Sequence, residues 1–201
     1  GLAAGFDYEA RLTQILPSLG FGFGTVGTLT NRAFEGNPRP MLGRLPRSRS
    51  LMVNKGFRNL GISSTLERLE GKTFSHPVGV SIGKTNTPNH KTQLEAVSDI
   101  IDAFRIAETS TVPFSYYELN ISCPNLAGTI EFYAPNHLKE LLAELARLHI
   151  AKPVFIKMPI SKTDGEIQSM MEIIASFAYV KAVIVGNLQR DRNDPALVQQ
   201  E

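Results

Sequence analysis

One short stretch of the chain brings together an amide, a thiol and a second amide. Asn120, Cys123 and Asn125 lie within six residues, and Cys123 is the only cysteine in the sequence. A thiol can act as a general base once its pKa, about 8.5 when unperturbed, is moved toward the working pH. Asparagine amides both donate and accept hydrogen bonds, which suits a flat polar heterocycle better than a charged phosphate. The alternative is an inert buried cysteine beside an Asn/Pro turn.

The residues before this stretch have the composition of a buried strand. Aromatic and branched side chains dominate residues 116–119, whereas Ser122 and Pro124 cannot continue a strand comfortably. Polar groups therefore collect at the C-terminal end of the predicted strand. In α/β proteins, ligands bind at that end of the strands.

The rest of the chain alternates between apolar runs of strand length and segments with helical spacing. Strands are predicted at residues 1–4, 23–26, 78–83, 116–120, 154–157 and 182–185, and helices at 9–16, 63–69, 91–107, 137–148 and 164–177. Continuous apolar strands alternating with helices indicate a parallel sheet buried on both faces. No GxGxxG motif follows the first strand, which counts against an open dinucleotide-binding sheet.

Polar residues follow strand after strand, and this regularity favours an α/β fold of the (β/α)8 TIM-barrel type. The residues concerned are Thr28, Ser81, Asn120, Lys157 and Asn187. A complete barrel has eight strands in about 250 residues. We therefore expect residues 1–201 to form a single partial barrel domain that stops after the sixth strand.

A long polar excursion rich in proline and arginine interrupts this pattern after the second strand. It contains a turn at residues 36–40 and two short extended pieces at 42–45 and 50–53. Loops of this length inside a compact domain usually serve a site. Residues 31–59 are therefore predicted to be an inserted substrate loop.

Composition excludes several classes of function. Lys plus Arg number 21 against 19 for Asp plus Glu, so the small net charge gives no reason to expect nucleic acid as a partner. A single cysteine cannot form an internal disulfide, which favours a reducing, cytoplasmic compartment. No apolar run approaches the roughly 18 residues that span a bilayer. The histidines lack metal-ligand spacing, so no metal site is predicted.

Five motifs stand in the order and spacing found in dihydroorotate dehydrogenases. They are GLAAGFD at 1–7, GNPRP at 36–40, RLP at 44–46, GVSIGK at 79–84 and NISCPN at 120–125. The sequence resembles this family over essentially its whole length, and the NISCPN motif is quite specific. The resemblance implies an enzyme that uses flavin mononucleotide (FMN) on a (β/α)8 barrel. Such an enzyme oxidises dihydroorotate to orotate in pyrimidine (UMP) biosynthesis.

The resemblance also assigns roles to individual residues. Cys123 stands where the family places its catalytic base, and Asn120 and Asn125 match positions that hold the pyrimidine and the flavin edge. The other implied cofactor contacts are Ala4, Gly5, Thr28, Ser81, Lys157 and Gly186. The other implied substrate contacts are Asn54, Lys55, Gly56, Phe57 and Asn187.

The chain departs from the family pattern at three positions. Tyr8 stands where most relatives carry a lysine directly after Gly-Phe-Asp, and Ser81 stands where they carry an asparagine. In the substrate loop the family asparagine is replaced by Val53, and Asn54 lies one residue closer to the glycine. The departure at Tyr8 means that one contact to substrate and flavin is lost or supplied differently, and Asn54 is the candidate to replace the missing asparagine of the loop.

The motifs carry two signals about the electron acceptor. A cysteine base is typical of the soluble class of the family, whereas GNPRP and RLP resemble the quinone-linked class. We favour a quinone, with fumarate or NAD as alternatives. A quinone acceptor implies peripheral contact with the inner face of the cell membrane, through a segment preceding Gly1. The basic run around Arg44 is either a solvated face or a contact for lipid phosphates.

Two other functions remain open on the sequence. One is a different flavin barrel that acts on a dihydropyrimidine or on dihydrouridine. The other is an inactive fragment, because the loops after strands seven and eight, which usually grip the phosphate in such barrels, are not in the sequence.

Overall fold

The structure is a computed structural model, and it describes residues 1–188. The strands in this range are β1 (Leu2–Asp7), β2 (Gly24–Leu29), β3 (Leu42–Leu45), β4 (Ser50–Val53), β5 (Val78–Ile82), β6 (Tyr116–Asn120), β7 (Val154–Met158) and β8 (Val180–Val185). The helices are α1 (Ile62–Leu69), α2 (Gln93–Thr109), α3 (Pro135–Ala146) and α4 (Asp164–Ala175), with a short 3-10 helix at Pro17–Leu19.

Within residues 1–188, six strands form one parallel sheet in the order β1-β2-β5-β6-β7-β8. Every neighbouring pair in this sheet is parallel. The spatial order follows the chain order without a reversal, as in a (β/α)8 barrel and unlike a doubly wound sheet. The described chain thus contributes six strands of a barrel of this type, and the fold class expected from the sequence is confirmed.

The helices begin where local chemistry satisfies their first N–H groups. Helix α2 starts with a capping box in which Thr92 and Glu95 bond each other's backbone, and α4 starts with the equivalent pair Thr163 and Glu166. Helix α3 begins at Pro135, whose missing N–H costs nothing in the first turn.

The core lies between the sheet and these helices. Every residue of β5 and β6 is buried, as expected for strands covered on both faces. Helix α3 turns one leucine face toward the core, and its four members are fully buried: Leu138, Leu141, Leu142 and Leu145. This packing fixes the ends of β6 and its neighbours, where the polar residues lie.

The predicted helix at residues 9–16 is wrong. The segment consists of turns followed by the 3-10 helix. The carboxylate of Asp7 accepts hydrogen bonds from the backbone N–H groups of Arg11 (2.7 Å) and Leu12 (3.0 Å), and Ala10 adopts a left-handed φ of 56°. A left-handed residue cannot continue a right-handed helix. Ile15 is 49% exposed, so the apolar residues of this segment do not form one buried face.

The other elements differ from the prediction mainly at their ends. Strand β1 continues to Asp7 and β2 continues to Leu29, so Gly5 and Thr28 lie inside strands and not in the loops after them. The two extended pieces of the excursion pair as an antiparallel hairpin, β3 with β4, at the predicted residues. No helix within residues 1–188 is both long and apolar enough to cross a membrane. In the same range no group of three or more His, Cys, Asp or Glu side chains could hold a metal ion.

Candidate active site

A cavity of about 380 Å³ opens at the C-terminal ends of the parallel strands. The segment that follows β4 closes one side of it. Most residues singled out in the sequence line this cavity: Ala4, Gly5, Thr28, Lys55, Gly56, Phe57, Asn120, Cys123, Asn125, Lys157 and Asn187. Leu2, Ala3, Phe6, Tyr8, Val53, Arg58 and Leu188 complete the lining. The convergence of strand ends therefore brings the thiol, the amides and the lysines to one place.

Three of the residues singled out do not line the cavity. Ser81 is completely buried beneath it, and Asn54 turns away to accept a hydrogen bond from Asn37 (2.9 Å). Gly186 lies between β8 and Asn187 with a φ of 148°. Any contact of Ser81 with a ligand would have to pass through the residues above it.

A directed chain of hydrogen bonds runs from the cavity wall into the barrel interior. Ser81 donates its single hydroxyl proton to Glu118 (2.7 Å), so the Thr28 hydroxyl must donate to Ser81 (2.9 Å) and accept from the Asn120 amide (2.8 Å). The Asn120 oxygen accepts from both the backbone and the hydroxyl of Ser122. These bonds fix the amide orientation, and one Asn120 N–H remains outside this network as a donor for the cavity.

Glu118, which ends this chain of bonds, is only 1% exposed. Burial raises its pKa above the ordinary value, and the Ser81 hydrogen bond and the nearby positive charge of Lys157 oppose that rise. Sequence reasoning did not single out this residue. The signal was present, because Glu118 is the one acidic residue in a strand that is otherwise aromatic, aliphatic or amide.

Asn187 ties the segment after β8 to the loop that carries Cys123. Its amide nitrogen donates to the Ser122 carbonyl (2.8 Å) and hydroxyl (2.5 Å), and its oxygen accepts from the Leu188 N–H (2.7 Å). The amide therefore orders the half-buried Cys123 region as well as lining the cavity. A further cavity of about 240 Å³ is also lined by Cys123 and shares Asn120, Asn187 and Leu188 with the first.

An asparagine cluster, Asn37, Asn54, Asn86 and Asn125, fastens the cavity-lining segment to its neighbours. Asn37 donates to the Asn54 side chain and to the Asn125 carbonyl, both at 2.9 Å. Asn86 donates to the Gly56 carbonyl (3.0 Å), and Asn125 donates to the carbonyl at residue 53 (3.1 Å). Asn54 thus acts in this cluster and not at the cavity wall.

The backbone at Gly56 and Phe57 is left-handed at both residues, with φ of 63° and 64°. A Cβ at Gly56 would lie 2.5 Å from the Asn86 amide nitrogen, so only glycine fits. A positive φ is uncommon for a bulky residue such as Phe57 and requires support from its surroundings. Asn59 gives that support: it donates to the Phe57 carbonyl (2.7 Å) and accepts from the Gly61 N–H (2.7 Å). Sequence reasoning missed Asn59.

The charged groups in the cavity lining are all cations: Lys55, Arg58 and Lys157. The Lys55 ammonium lies 4.2 Å from the centre of the Tyr8 ring, and the Arg58 guanidinium lies 5.8 Å from it. Arg58 also donates to the Tyr8 hydroxyl at 3.5 Å. Burial, and then the charge of Arg58, lower the pKa of Lys55 below its usual value. Since no acidic side chain in the described part of the chain lines the cavity, it favours a polar or anionic ligand.

Parallel strands in barrel order, with a cavity at their C-terminal ends that holds amides and cations in a largely apolar lining, define an α/β-barrel protein with its site in the position usual for barrel enzymes. A family model described as dihydroorotate dehydrogenase matches residues 1–200. The chain belongs to the dihydroorotate dehydrogenase family, whose members are generally flavin-dependent.

Curated relatives carry the name dihydroorotate dehydrogenase (quinone). The protein from Mycobacterium sp. (strain KMS) is 35% identical over 175 residues, which cover 86% of this chain and 47% of the relative. The protein from Synechococcus sp. (strain JA-3-3Ab) is 34% identical over 195 residues, covering 95% and 50%. The chain therefore spans about half the length of the curated relatives it matches.

A solved structure supports the fold. The crystal structure of DHODH from Eimeria tenella in complex with ferulenol matches with a TM-score of 0.79. The match covers 100% of this chain and 58% of that one at 23% sequence identity. At this identity the likeness bears on the fold alone.

Proposed function

We propose that this chain belongs to a dihydroorotate dehydrogenase that oxidises dihydroorotate to orotate in UMP biosynthesis, with FMN as cofactor and a quinone as acceptor. The observation that carries the proposal is the cavity itself. It places Cys123 among the amides of Asn120 and Asn125, with Lys157 in the same lining. The names of the curated relatives support both the reaction and the acceptor.

The reaction removes a proton from one ring carbon and a hydride from its neighbour. A bound flavin supplies the hydride acceptor. Cys123, as the thiolate, takes the proton from the ring carbon beside the carbonyl. Asn120 and Asn125 orient the ring through its N–H and C=O groups without adding charge that would oppose loss of hydride. The Lys157 ammonium stabilises the negative charge that the transfer creates.

The donor set in this part of the cavity fits a flavin ring. Asn120 keeps one amide proton outside its own hydrogen-bond network, and Lys157 is a half-buried cation beside it on the neighbouring strand. Thr28 is held in place by Asn120 and Ser81. We assign these side chains, with the backbone at Ala4 and Gly5, to the cofactor.

A spectrum of the intact protein tests this function. The purified protein should show a visible flavin absorption band that bleaches on anaerobic addition of dihydroorotate. Reoxidation with a quinone, fumarate or NAD would then identify the acceptor. A band that does not bleach would mean that the substrate is wrong, and an intact protein without a band would refute flavin dependence. With a quinone acceptor, the reaction takes place on the cytoplasmic side at the inner face of the membrane, and nucleic acid has no part in it.

Replacing the thiol tests the role of Cys123. Cys123→Ala should retain the flavin band and lower turnover by roughly two to four orders of magnitude, because only the proton-transfer step is lost. Cys123→Ser is the matched variant: it keeps a hydroxyl that ionises less readily than a thiol, so its activity should rise more steeply with pH. Unchanged turnover in the alanine variant would remove Cys123 from the mechanism.

A further inference from the structure

Two cations of the cavity meet at one aromatic side chain. Tyr8 lies just after β1, and Lys55 and Arg58 lie in the segment after β4, yet both positive groups approach the Tyr8 ring. Cations are attracted to the negative face of an aromatic ring, so Tyr8 holds the two groups close to one another. The result is a compact region of positive charge at one end of the cavity, which we call the Tyr8 cluster: Tyr8, Lys55 and Arg58.

The third cation of the cavity has a partner. Lys157 lies near the buried carboxyl of Glu118, to which it is electrostatically coupled. Within residues 1–188, by contrast, Lys55 and Arg58 form no salt bridge. The charge of Arg58 helps to lower the pKa of Glu9, but the ion pairs of Glu9 are with Arg11 and Arg68. Lys55 has no salt bridge in this range, and the charge that acts on it is the like charge of Arg58, so the least compensated positive charge of the cavity lies in the Tyr8 cluster.

Such an arrangement is unfavourable unless something balances it. Lys55 is half-buried, and both its burial and Arg58 disfavour its charged form. Two cations held together without a carboxylate cost free energy that an anionic ligand would recover. The ring chemistry of the proposed reaction needs only amides, a base and a hydride acceptor, so it does not explain this charge.

We propose that Lys55 and Arg58, positioned by Tyr8, bind the carboxylate of the substrate and so select a carboxylate-bearing pyrimidine over the same ring without it. This inference rests on the proposed function and adds the residues that set its specificity. It also gives Tyr8 a role. Tyr8 stands directly after Gly-Phe-Asp, where relatives carry a lysine, and its ring holds the ammonium group of Lys55 nearby.

The test compares two ligands that differ only in the carboxylate. Binding of orotate and of uracil to the intact protein, isolated with the cofactor it carries, is measured by isothermal titration calorimetry. The wild type should prefer orotate. Lys55→Gln should weaken orotate binding by about 10- to 100-fold, as expected for loss of a charged hydrogen-bond partner. Uracil binding should stay unchanged, which also shows that the variant is folded.

Companion variants separate the charge from the shape of the side chain. Lys55→Arg should recover much of the orotate affinity, and Tyr8→Phe, which keeps the ring and loses the hydroxyl that accepts from Arg58, should lose less orotate affinity than Tyr8→Leu. Tyr8→Leu should lose orotate affinity selectively. Lys139→Gln, which removes an exposed lysine on α3, is the matched control and should have no effect.

Two results would overturn the inference in different ways. If Lys55→Gln keeps the wild-type ratio of orotate to uracil affinity, the Tyr8 cluster does not bind the carboxylate. The proposed function would still stand in that case. If the wild-type protein binds neither ligand, the proposed function is wrong, and the inference falls with it.

Discussion

Asn59 offers the sharpest test of how the cavity is held open. It is 3% exposed, and its side chain makes four hydrogen bonds. It accepts from the N–H groups of Gly61 (2.7 Å) and Thr30 (3.2 Å), and it donates to the Thr30 hydroxyl (2.8 Å) and the Phe57 carbonyl (2.7 Å). Asn59→Ala removes all four bonds together and leaves their partners buried.

The size of the effect follows from that count. Each buried hydrogen bond contributes roughly 0.5–1.5 kcal/mol net, so four bonds are worth about 2–6 kcal/mol, and we expect about 3 kcal/mol because the partners can relax in part. A domain of typical stability, about 5–15 kcal/mol, survives that loss. For a chain of this size the melting temperature should fall by roughly 6–12 °C. Asn59→Asp keeps the two acceptor bonds but sets a buried carboxylate oxygen against the Phe57 carbonyl, so it should destabilise the protein at least as much as Asn59→Ala does.

Two assays separate local from global loosening. Thermal unfolding gives the overall loss, with Asn89→Ala as the control because Asn89 is exposed. Trypsin under native conditions reports on the segment itself, because Lys55 and Arg58 are trypsin cleavage sites on either side of Phe57. Asn59→Ala should accelerate cleavage at both sites. A melting temperature within about 2 °C of wild type, with unchanged cleavage, would show that Asn59 does not hold this segment.

The buried side chains of Glu118 and Lys84 should change the pH dependence of stability in opposite directions. Burial raises the pKa of Glu118 above its ordinary 4.5. The folded state therefore keeps a proton on Glu118 at pH values where the unfolded state has released it. The free energy of unfolding should fall for this reason as the pH rises from about 4.5 through the folded-state pKa. Glu118→Gln should lack that decline in urea unfolding measured across this range. Burial lowers the pKa of Lys84 below its ordinary 10.5, and the charge of Asp99 only partly offsets this effect. The contribution of Lys84 to the free energy of unfolding should therefore rise with pH up to about 10.5. Lys84→Met should show a flatter profile there; profiles parallel to wild type would refute either assignment.

Much of the barrel could be predicted because its signals are local. The strand at Tyr116–Asn120 was predicted with the bounds that the structure has, since an aromatic and aliphatic run ends there at residues that cannot continue it. The two extended pieces of the excursion were also predicted with the bounds that the structure has, whereas their pairing as a hairpin was not predicted. The helix at residues 9–16 failed because helical spacing of apolar residues was outweighed by the Asp7 carboxylate, which bonds the backbone of Arg11 and Leu12 in a turn.

The supporting residues of the site could not be predicted because their partners are distant in sequence. Asn37 reaches the backbone of Asn125 across 88 positions, and Asn59 reaches Thr30 across 29. Nothing in the local sequence distinguishes a loop asparagine that makes such long-range hydrogen bonds from one that only forms a turn. The strand-end rule finds residues that face the cavity, but it does not find those that hold the facing residues in place.

The three departures from the family pattern are each matched by a specific arrangement in the structure. Ser81 becomes a link between Thr28 and the buried Glu118, which orients the Asn120 amide. Val53 cannot offer a side-chain amide, but its backbone carbonyl accepts the amide of Asn125.

Tyr8 cannot offer a positive charge, but its ring holds that of Lys55. At position 8 the nearby positive charge therefore comes from Lys55 and not from the substituted side chain. Activity in this chain would therefore depend on pairs of residues, and a variant that restores only the family residue at one position, such as Tyr8→Lys, should bring a third cation next to Lys55 and Arg58. Like charges so close repel one another, so we expect Tyr8→Lys to destabilise the protein without ligand and to gain stability when orotate is added.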